Sequence, residues 1–281
     1  MEYREFPPSP VLSPFVERLW TLAGHASELT GAAQPVLPDG RPELVLHLGD
    51  PFERVTGDVA QRQARLLFAG QLTEQLTLRP TGTMAVAGVR FHPFGAAAFL
   101  PVPQHELTGL TVGLGEVSRP LARALARVGE QTDDVRCALP LVEVALTGCV
   151  RQSHRTDVRL PFVSRRILDT KGLVSIDALA RQVSISRRHL ERRFQDVVGI
   201  SPKRLARVTR FQNALHILEE SDPRRSGAAT AATCGYADQS HFIREFRQLA
   251  GCSPSEHMLR QGELTGFFVS GRVSQERSPH A

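Results

Sequence analysis

Seven residues recur at a fixed offset of 52 positions in the second half of this chain, and that recurrence limits the fold more than any other feature. The shift pairs Ala180 with Ala232, His189 with His241, Arg192 with Arg244, Phe194 with Phe246, Gly199 with Gly251, Ser201 with Ser253 and Pro202 with Pro254. The seven identities fall within 23 positions, where average residue usage gives about one or two. Leu190 against Phe242 and Val197 against Leu249 keep apolar character. One supersecondary unit used twice accounts for the pattern.

The unit reads as two short helices joined by a tight turn. In the first copy Ser175 is placed to cap a helix from Ile176 to Val183, with Ile176, Leu179 and Val183 on one face and the small Ala180 where a second helix crosses closely. Ser184 and Ile185 form the turn, and Ser186 caps a second helix from Arg187 to Val198. Leu190, Phe194 and Val197 or Val198 supply its inward stripe; Arg188, Glu191, Arg192 and Gln195 lie outside. In the second copy Ala228 to Cys234 is the first helix, Gly235 the turn, Asp238 the cap and Gln239 to Ala250 the second helix. Phe242, Phe246 and Leu249 face inward there, and Ser240, His241, Arg244 and Arg247 outward. Each copy ends in Gly-x-Ser-Pro, a glycine stop followed by a serine cap and a proline in the next first turn. A short helix pair with a basic second helix describes a helix-turn-helix.

Between the copies, Pro202 to Glu219 carries Leu205, Val208, Phe211 or Gln212, Leu215 and Leu218 at helical spacing. Eighteen residues give a rod of roughly 27 Å. Successive major-groove faces on one side of B-DNA lie about 34 Å apart, so such a rod holds two reading heads in adjacent grooves. Charge agrees with that partner. The chain's net +5 divides into 22 Lys+Arg against 13 Asp+Glu (+9) for residues 151–281 and 12 against 16 (−4) for residues 1–150. One half is built to meet a polyanion.

The first half reads as β-rich. Pro42 to Asp50, Ala64 to Gln71, Gln75 to Pro80 and Met84 to Pro93 are short Val, Leu and Phe runs punctuated by glycine and proline, which predicts a small antiparallel barrel or sandwich. Pro93 to Leu100 interrupts them with an alanine-rich turn of helix that Pro93 is placed to start. From Val117 to about Gln152 the period becomes helical, through Leu121, Leu125 and Val128, then Leu141, Val144, Ala145 and Leu146. The polar segment Gln152 to Arg159 marks a boundary. The expected organisation is a β-rich sensory or regulatory domain over 1–115, a helical linker or dimerisation segment over 116–157, a double helix-turn-helix over 158–262 and a tail over 263–281. The fold class is α+β.

Two stretches carry a family resemblance. ALARQVSISRRHLERRFQDVVGISP and CGYADQSHFIREFRQLAGCSP resemble the paired helix-turn-helix module of AraC/XylS-type transcriptional regulators, over about Leu160 to Leu259. The resemblance implies seven helices, a linker helix between two subdomains and sequence-specific binding near promoters. It makes Arg188, Glu191 and Arg192, with Gln239, Ser240 and Arg244 of the second head, the base-reading candidates. Arg187, His189, Lys203, Arg207, Arg210, His241 and Arg247 are the phosphate candidates. The chain departs from the family at Thr230, where a large aliphatic is usual. The opening YREFPPSPVLSPFVERLW, LPDGRPELVLHLGDPF and GVRFHPFGAAAFLPVPQHEL resemble the cupin-like amino-terminal domain of one AraC-type subfamily, whose ligand is unassigned.

The partners expected are double-stranded DNA and RNA polymerase, with room for a small-molecule effector and a homodimer. No cofactor, metal or membrane is expected, and the location expected is cytoplasmic: the amino terminus has no basic-then-apolar leader and no apolar run approaches the length of a span. Cys137, Cys149, Cys234 and Cys252 lie 12, 85 and 18 positions apart, without a C-x-x-C pair, which favours structural thiols over zinc or redox chemistry. His47, His92 and His105 lack an H-x-H pair. Asp39, Glu43 and Arg90 divide evenly between a ligand pocket and barrel turns. Competing readings are a repair methyltransferase or a cupin enzyme, which need a zinc cluster, an activated thiol or a metal, and an interaction protein whose heads have lost DNA binding through Thr230.

Overall fold

The computed structural model describes residues 1–29, 33–150, 157–220 and 227–259. Among the described residues ten strands occupy the first half: β1 (Glu2–Phe6), β2 (Val16–His25), β3 (Gln34–Val36), β4 (Glu43–His47), β5 (Glu53–Thr56), β6 (Val59–Arg62), β7 (Leu66–Ala69), β8 (Leu76–Arg79), β9 (Thr83–Phe91) and β10 (Thr111–Gly113). They form a six-stranded sheet, β1-β2-β9-β4-β7-β10, and a four-stranded one, β3-β8-β5-β6, antiparallel throughout. The four expected apolar runs are β4, β7, β8 and β9. The others are either polar, like the exposed β6, or broken by a bulge between Val16 and Arg18, so neither gives a clean period of two.

Strand alternation divides the six-stranded sheet into two faces. Leu44 and Leu46 of β4, Phe68 of β7 and Ala87, Val89 and Phe91 of β9 join one core with the helices outside the barrel. Val45, His47, Leu67, Val86 and Arg90 point the other way, into a cavity between the sheets. Gly88 shares that inner face, and a Cβ there would lie 2.0 Å from Cε2 of Trp20. Only glycine lets the indole of β2 cross the β9 backbone.

The outer face is covered by α1 (Leu114–Val117), α2 (Arg119–Gln131) and α3 (Val135–Cys149). Leu121, Leu125 and Val128 of α2 are buried as expected. In α3 the inward stripe is Val135, Ala138, Leu139, Val142 and Leu146, whereas Val144 is 71% exposed. The expected stripe was set too late because the apolar run around Leu141 to Leu146 masks which residues share one face. The alanine-rich segment forms a 3-10 turn over Gly95–Ala98 with Phe94, not Pro93, at its N-cap. Of the four free cysteines only Cys234 is buried; Cys137 is exposed and Cys149 and Cys252 are half-buried. Cys137 is therefore not a core thiol.

Among the described residues seven helices follow: α4 (Arg159–Asp169), α5 (Ile176–Gln182), α6 (Arg187–Val198), α7 (Pro202–Glu220), α8 (Gly227–Thr233), α9 (Gln239–Ala250) and α10 (Pro254–Leu259). The caps are the expected ones. Ser175 Oγ accepts from Ala178 N at 3.3 Å, Ser186 Oγ from His189 N at 3.2 Å and Asp238 Oδ1 from His241 N at 2.7 Å. Gly199 and Gly251 end α6 and α9 at φ +93° and +70°. Ser201 and Ser253 cap the next helices at 3.2 Å each.

The repeat holds with one adjustment. Both turns close in the same way, Ile185 N donating to Ala180 O at 3.1 Å and Tyr236 N to Ala231 O at 3.0 Å. Ala231, at 2% exposure, is therefore the packing counterpart of Ala180, while Ala232 is exposed. The second turn is one residue longer, so the 52-residue offset applies from the second helix of each unit onward. The first head packs Leu179, Leu190, Phe194 and Val198 on Leu205 of α7; the second packs Ala231, Phe242, Phe246 and Leu249 on Val208, Phe211 and Leu215 of α7.

The barrel rests on both heads. Leu37 enters the second head's core and Phe94 the first head's. Thr108 Oγ1 donates to Gly199 O at 2.7 Å, and Gln212 Nε2 of α7 donates to Pro38 O at 2.6 Å. Gly40, at φ +80°, approaches α7 so closely that a Cβ would lie 2.7 Å from Leu205 Cδ1. The expected boundary segment lies largely outside the described residues, as does the tail with Phe267, Phe268 and Val269.

Candidate nucleic-acid interface

On α6, Arg188 and Arg192 project into solvent with Gln195. Arg187 is exposed but engaged, donating Nε to Glu191 Oε1 at 2.9 Å and reaching Asp177 of α5 at 3.3 Å. Those two carboxylates, Glu191 first, raise the guanidinium's pKa. Glu191 is thus bound to a neighbour on its own helix, and His189 is half-buried.

On α9, Gln239, Ser240, Arg244 and Arg247 are exposed and His241 is half-buried, edge-on to Tyr236 at 5.4 Å. Arg192 and Arg244 occupy equivalent repeat positions and both are open to solvent. Lys203, at the start of α7, is exposed as well. Arg187, Lys203, Arg207, Arg210, His241 and Arg244 line one cleft between the heads, of about 760 Å³, with Asp177 and Glu245 as its carboxylates.

Arg207 and Arg210 are turned toward the second head. Arg207 donates from Nε to Glu245 Oε2 at 2.8 Å and from Nη2 to Gln248 Oε1 at 2.6 Å. Arg210 lies over the Tyr236 ring at 4.9 Å with Nε 3.6 Å from Glu245 Oε1. Burial, then the Glu245 charge, pushes the Tyr236 phenol up. Glu245 and Tyr236 were not among the expected site residues. A carboxylate between Phe242, Phe246 and Leu249 is the signal that finds Glu245, because a buried charge requires partners. Arg247 sits apart, in a second cleft of about 610 Å³ shared with Glu74, Gln75 and Thr77 of the barrel.

In the barrel, Arg90 donates to Glu43 Oε1 at 2.9 Å and lies 3.5 Å from Asp39 Oδ2; all three line the inner cavity. Burial works against the Arg90 charge, yet Glu43 and Asp39 hold its pKa above the ordinary value. Burial raises that of Glu43. His47 faces the same cavity, His92 stacks on Phe94 at 5.6 Å, and His105 meets Asp196 of α6 at 3.5 Å.

Two capped helix pairs on one rod, each presenting an exposed arginine face, define a paired helix-turn-helix protein. Residues 179–260 match the family described as a helix-turn-helix domain, and residues 4–113 match a domain of unknown function (DUF6597). The HTH-type transcriptional activator RhaS of Escherichia fergusonii is 33% identical over 123 residues, 43% of this chain and 43% of its own length. RhaS of Escherichia coli O139:H28 is 36% identical over 95 residues, 34% of this chain and 32% of its own. The chain thus spans less than half the length of these relatives. Among solved structures, the DNA-binding domain of AdpA, a global transcriptional factor in complex with a target DNA, covers 36% of this chain and 90% of its own at 27% identity and TM-score 0.33. Apo ToxT K231A of Vibrio cholerae covers 86% and 97% at 10% identity and TM-score 0.43. Over residues 179–260 this chain thus carries a helix-turn-helix domain similar to that of the RhaS transcriptional activators.

Proposed function

We propose that the chain is a sequence-specific regulator of transcription that reads two adjacent major-groove half-sites of double-stranded DNA. The observation that carries this is the placement of Arg192 and Arg244, exposed at repeat-equivalent positions of two capped helices that share α7. Arg188, Arg192 and Arg244 discriminate bases, with a preference for guanine edges, and Gln239 and Ser240 assist in the second half-site. Lys203, His189, His241 and the helix N-termini hold the phosphates in register. Arg187, Arg207 and Arg210 begin from internal pairs and join the interface by exchanging those carboxylates for phosphate, which frees Glu191 to accept from a base edge. Arg247 reaches backbone at the edge of the second half-site.

The amino-terminal domain senses an effector or dimerises, and the docked Leu37 and Thr108 give it a route to both heads. The chain works in the cytoplasm with RNA polymerase as its partner. Among the described residues no helix is long and apolar enough to cross a membrane.

Selection of bound sites from random duplex DNA at two salt concentrations tests the reading. The expected result is a bipartite motif with half-sites one helical turn apart and an affinity that falls steeply with salt. Enrichment of no motif would overturn it.

A further inference from the structure

The barrel cavity holds about 80 Å³, and its surface is mainly apolar, with Trp20, Phe52 and Val86 on its walls. A single buried water occupies about 10–15 Å³ counted in the same way, so the space is several waters large. His47 projects into it from β4 at 2% exposure, and neither ring nitrogen has a hydrogen-bond partner among the described residues. Gln63 borders the cavity beside the ring and favours its protonated form, against the larger effect of burial. Burial draws the imidazole's pKa down to about 4, so near neutral pH it is uncharged.

Three ligand classes fit this lining badly. The charged wall is paired within itself, with Arg41 on Glu17 at 2.7 Å and Arg90 between Glu43 and Asp39. Two arginines against three carboxylates leave no spare cation for an anion. A cation would have to share Glu43 or Asp39 with Arg90, whose own positive charge repels it. A hydrocarbon would leave the buried imidazole unanswered, at the cost of an unmade hydrogen bond. A hydroxyl fits either tautomer, because it donates to a bare ring nitrogen or accepts from a protonated one.

We propose that this cavity binds a compact, uncharged, mainly apolar molecule bearing a hydroxyl, which His47 holds by a hydrogen bond. The assignment rests on the reading of the amino-terminal domain as a sensory module. The site is connected to the heads: Leu37, Asp39 and Arg41 line the cavity, and the same loop packs Leu37 in the second head and offers Pro38 O to Gln212 of α7.

Trp20 is the sole tryptophan of the chain and borders the cavity, so its emission reports occupancy without a label. The full-length chain, without DNA, is titrated with cyclohexanol, cyclohexanecarboxylate and cyclohexylammonium. Cyclohexanol is expected to change the emission saturably and to raise the melting temperature, with the two ions at least tenfold weaker. His47→Phe is expected to weaken cyclohexanol at least tenfold, and His47→Gln, which keeps a donor and an acceptor, to retain it within a few-fold. Equal response to the carboxylate, no saturable response to any probe, or a folded His47→Phe that binds cyclohexanol like the wild type would each overturn the assignment. The ligand series on the wild type decides the matter even if His47→Phe does not fold. A chain that enriches a bipartite DNA motif but ignores cyclohexanol refutes the cavity assignment alone; one that binds cyclohexanol but no DNA motif refutes the reading of the heads alone.

Discussion

Glu245 of α9, 4% exposed, accepts a 2.8 Å hydrogen bond from Nε of Arg207 on α7. Its other oxygen faces Arg210 at 3.6 Å, and His241, one turn earlier, lies 3.9 Å away. The angle between rod and second head is therefore held by a buried charge cluster. The equivalent position in the first head is Arg193, half-buried, so the two heads are fixed to the rod by different means.

Removing this carboxylate leaves two arginines facing each other in a partly buried site. Glu245→Ala is expected to destabilise the chain by about 3 kcal/mol, the low end for breaking a buried pair, because Arg207 keeps some solvent. Urea denaturation measures it; a loss below about 0.5 kcal/mol, the scale of ordinary surface substitutions, would contradict the clamp.

Thr230 of α8 is 1% exposed, and its hydroxyl has no hydrogen-bond partner among the described residues. Thr230→Val keeps the shape and removes the orphan, and is expected to raise stability by about 1 kcal/mol. A lowered melting midpoint would mean that the hydroxyl is satisfied after all.

His47 sets a pH dependence. Its folded pKa, about 4, lies below the ordinary 6.5 because burial disfavours the cation. Between those values the unfolded chain binds more protons than the folded one, so stability rises with pH across that window and is lost as pH falls through it. The loss amounts to about 3 kcal/mol. His92 and His257, both pushed down first by burial, act in the same direction. Urea midpoints between pH 7 and pH 4 should fall in the wild type and fall less in His47→Gln; parallel curves would place the dependence elsewhere.

Base and phosphate roles separate by substitution. Arg244→Ala is expected to cost about 1–3 kcal/mol of binding and to relax specificity in one half-site, whereas Lys203→Ala weakens all sequences alike and lowers the salt slope by about 1. Footprints and base preferences of Arg244→Ala that match the wild type would remove Arg244 from the second half-site.

Much of the carboxy-terminal fold was legible because its signals are local. Ser186 and Asp238 stand one residue before α6 and α9, the glycines at 199 and 251 stand one residue after, and each stripe repeats at helical spacing. The turn between α8 and α9 was misaligned by one residue because Ala232 matches Ala180 in identity while Ala231 matches it in packing. Half-buried strands such as β5 and the exposed β6 left too little apolar alternation to read. The pairs that Glu245 makes with α7 and the docking of Leu37 join residues 35 and more positions apart, where periodicity carries no information. The exposed arginines of α6 and α9 were legible as an outward face; which phosphate candidates begin in internal pairs depended largely on partners from other helices.

In the proposed complex α7 holds two heads on one side of the duplex. Once a bipartite site has been selected, inserting about five base pairs between its halves, half a helical turn, rotates the second half-site to the opposite side. Affinity is then expected to fall to about that of an isolated first half-site. Unchanged affinity for the lengthened site would contradict a rigid rod between two reading helices.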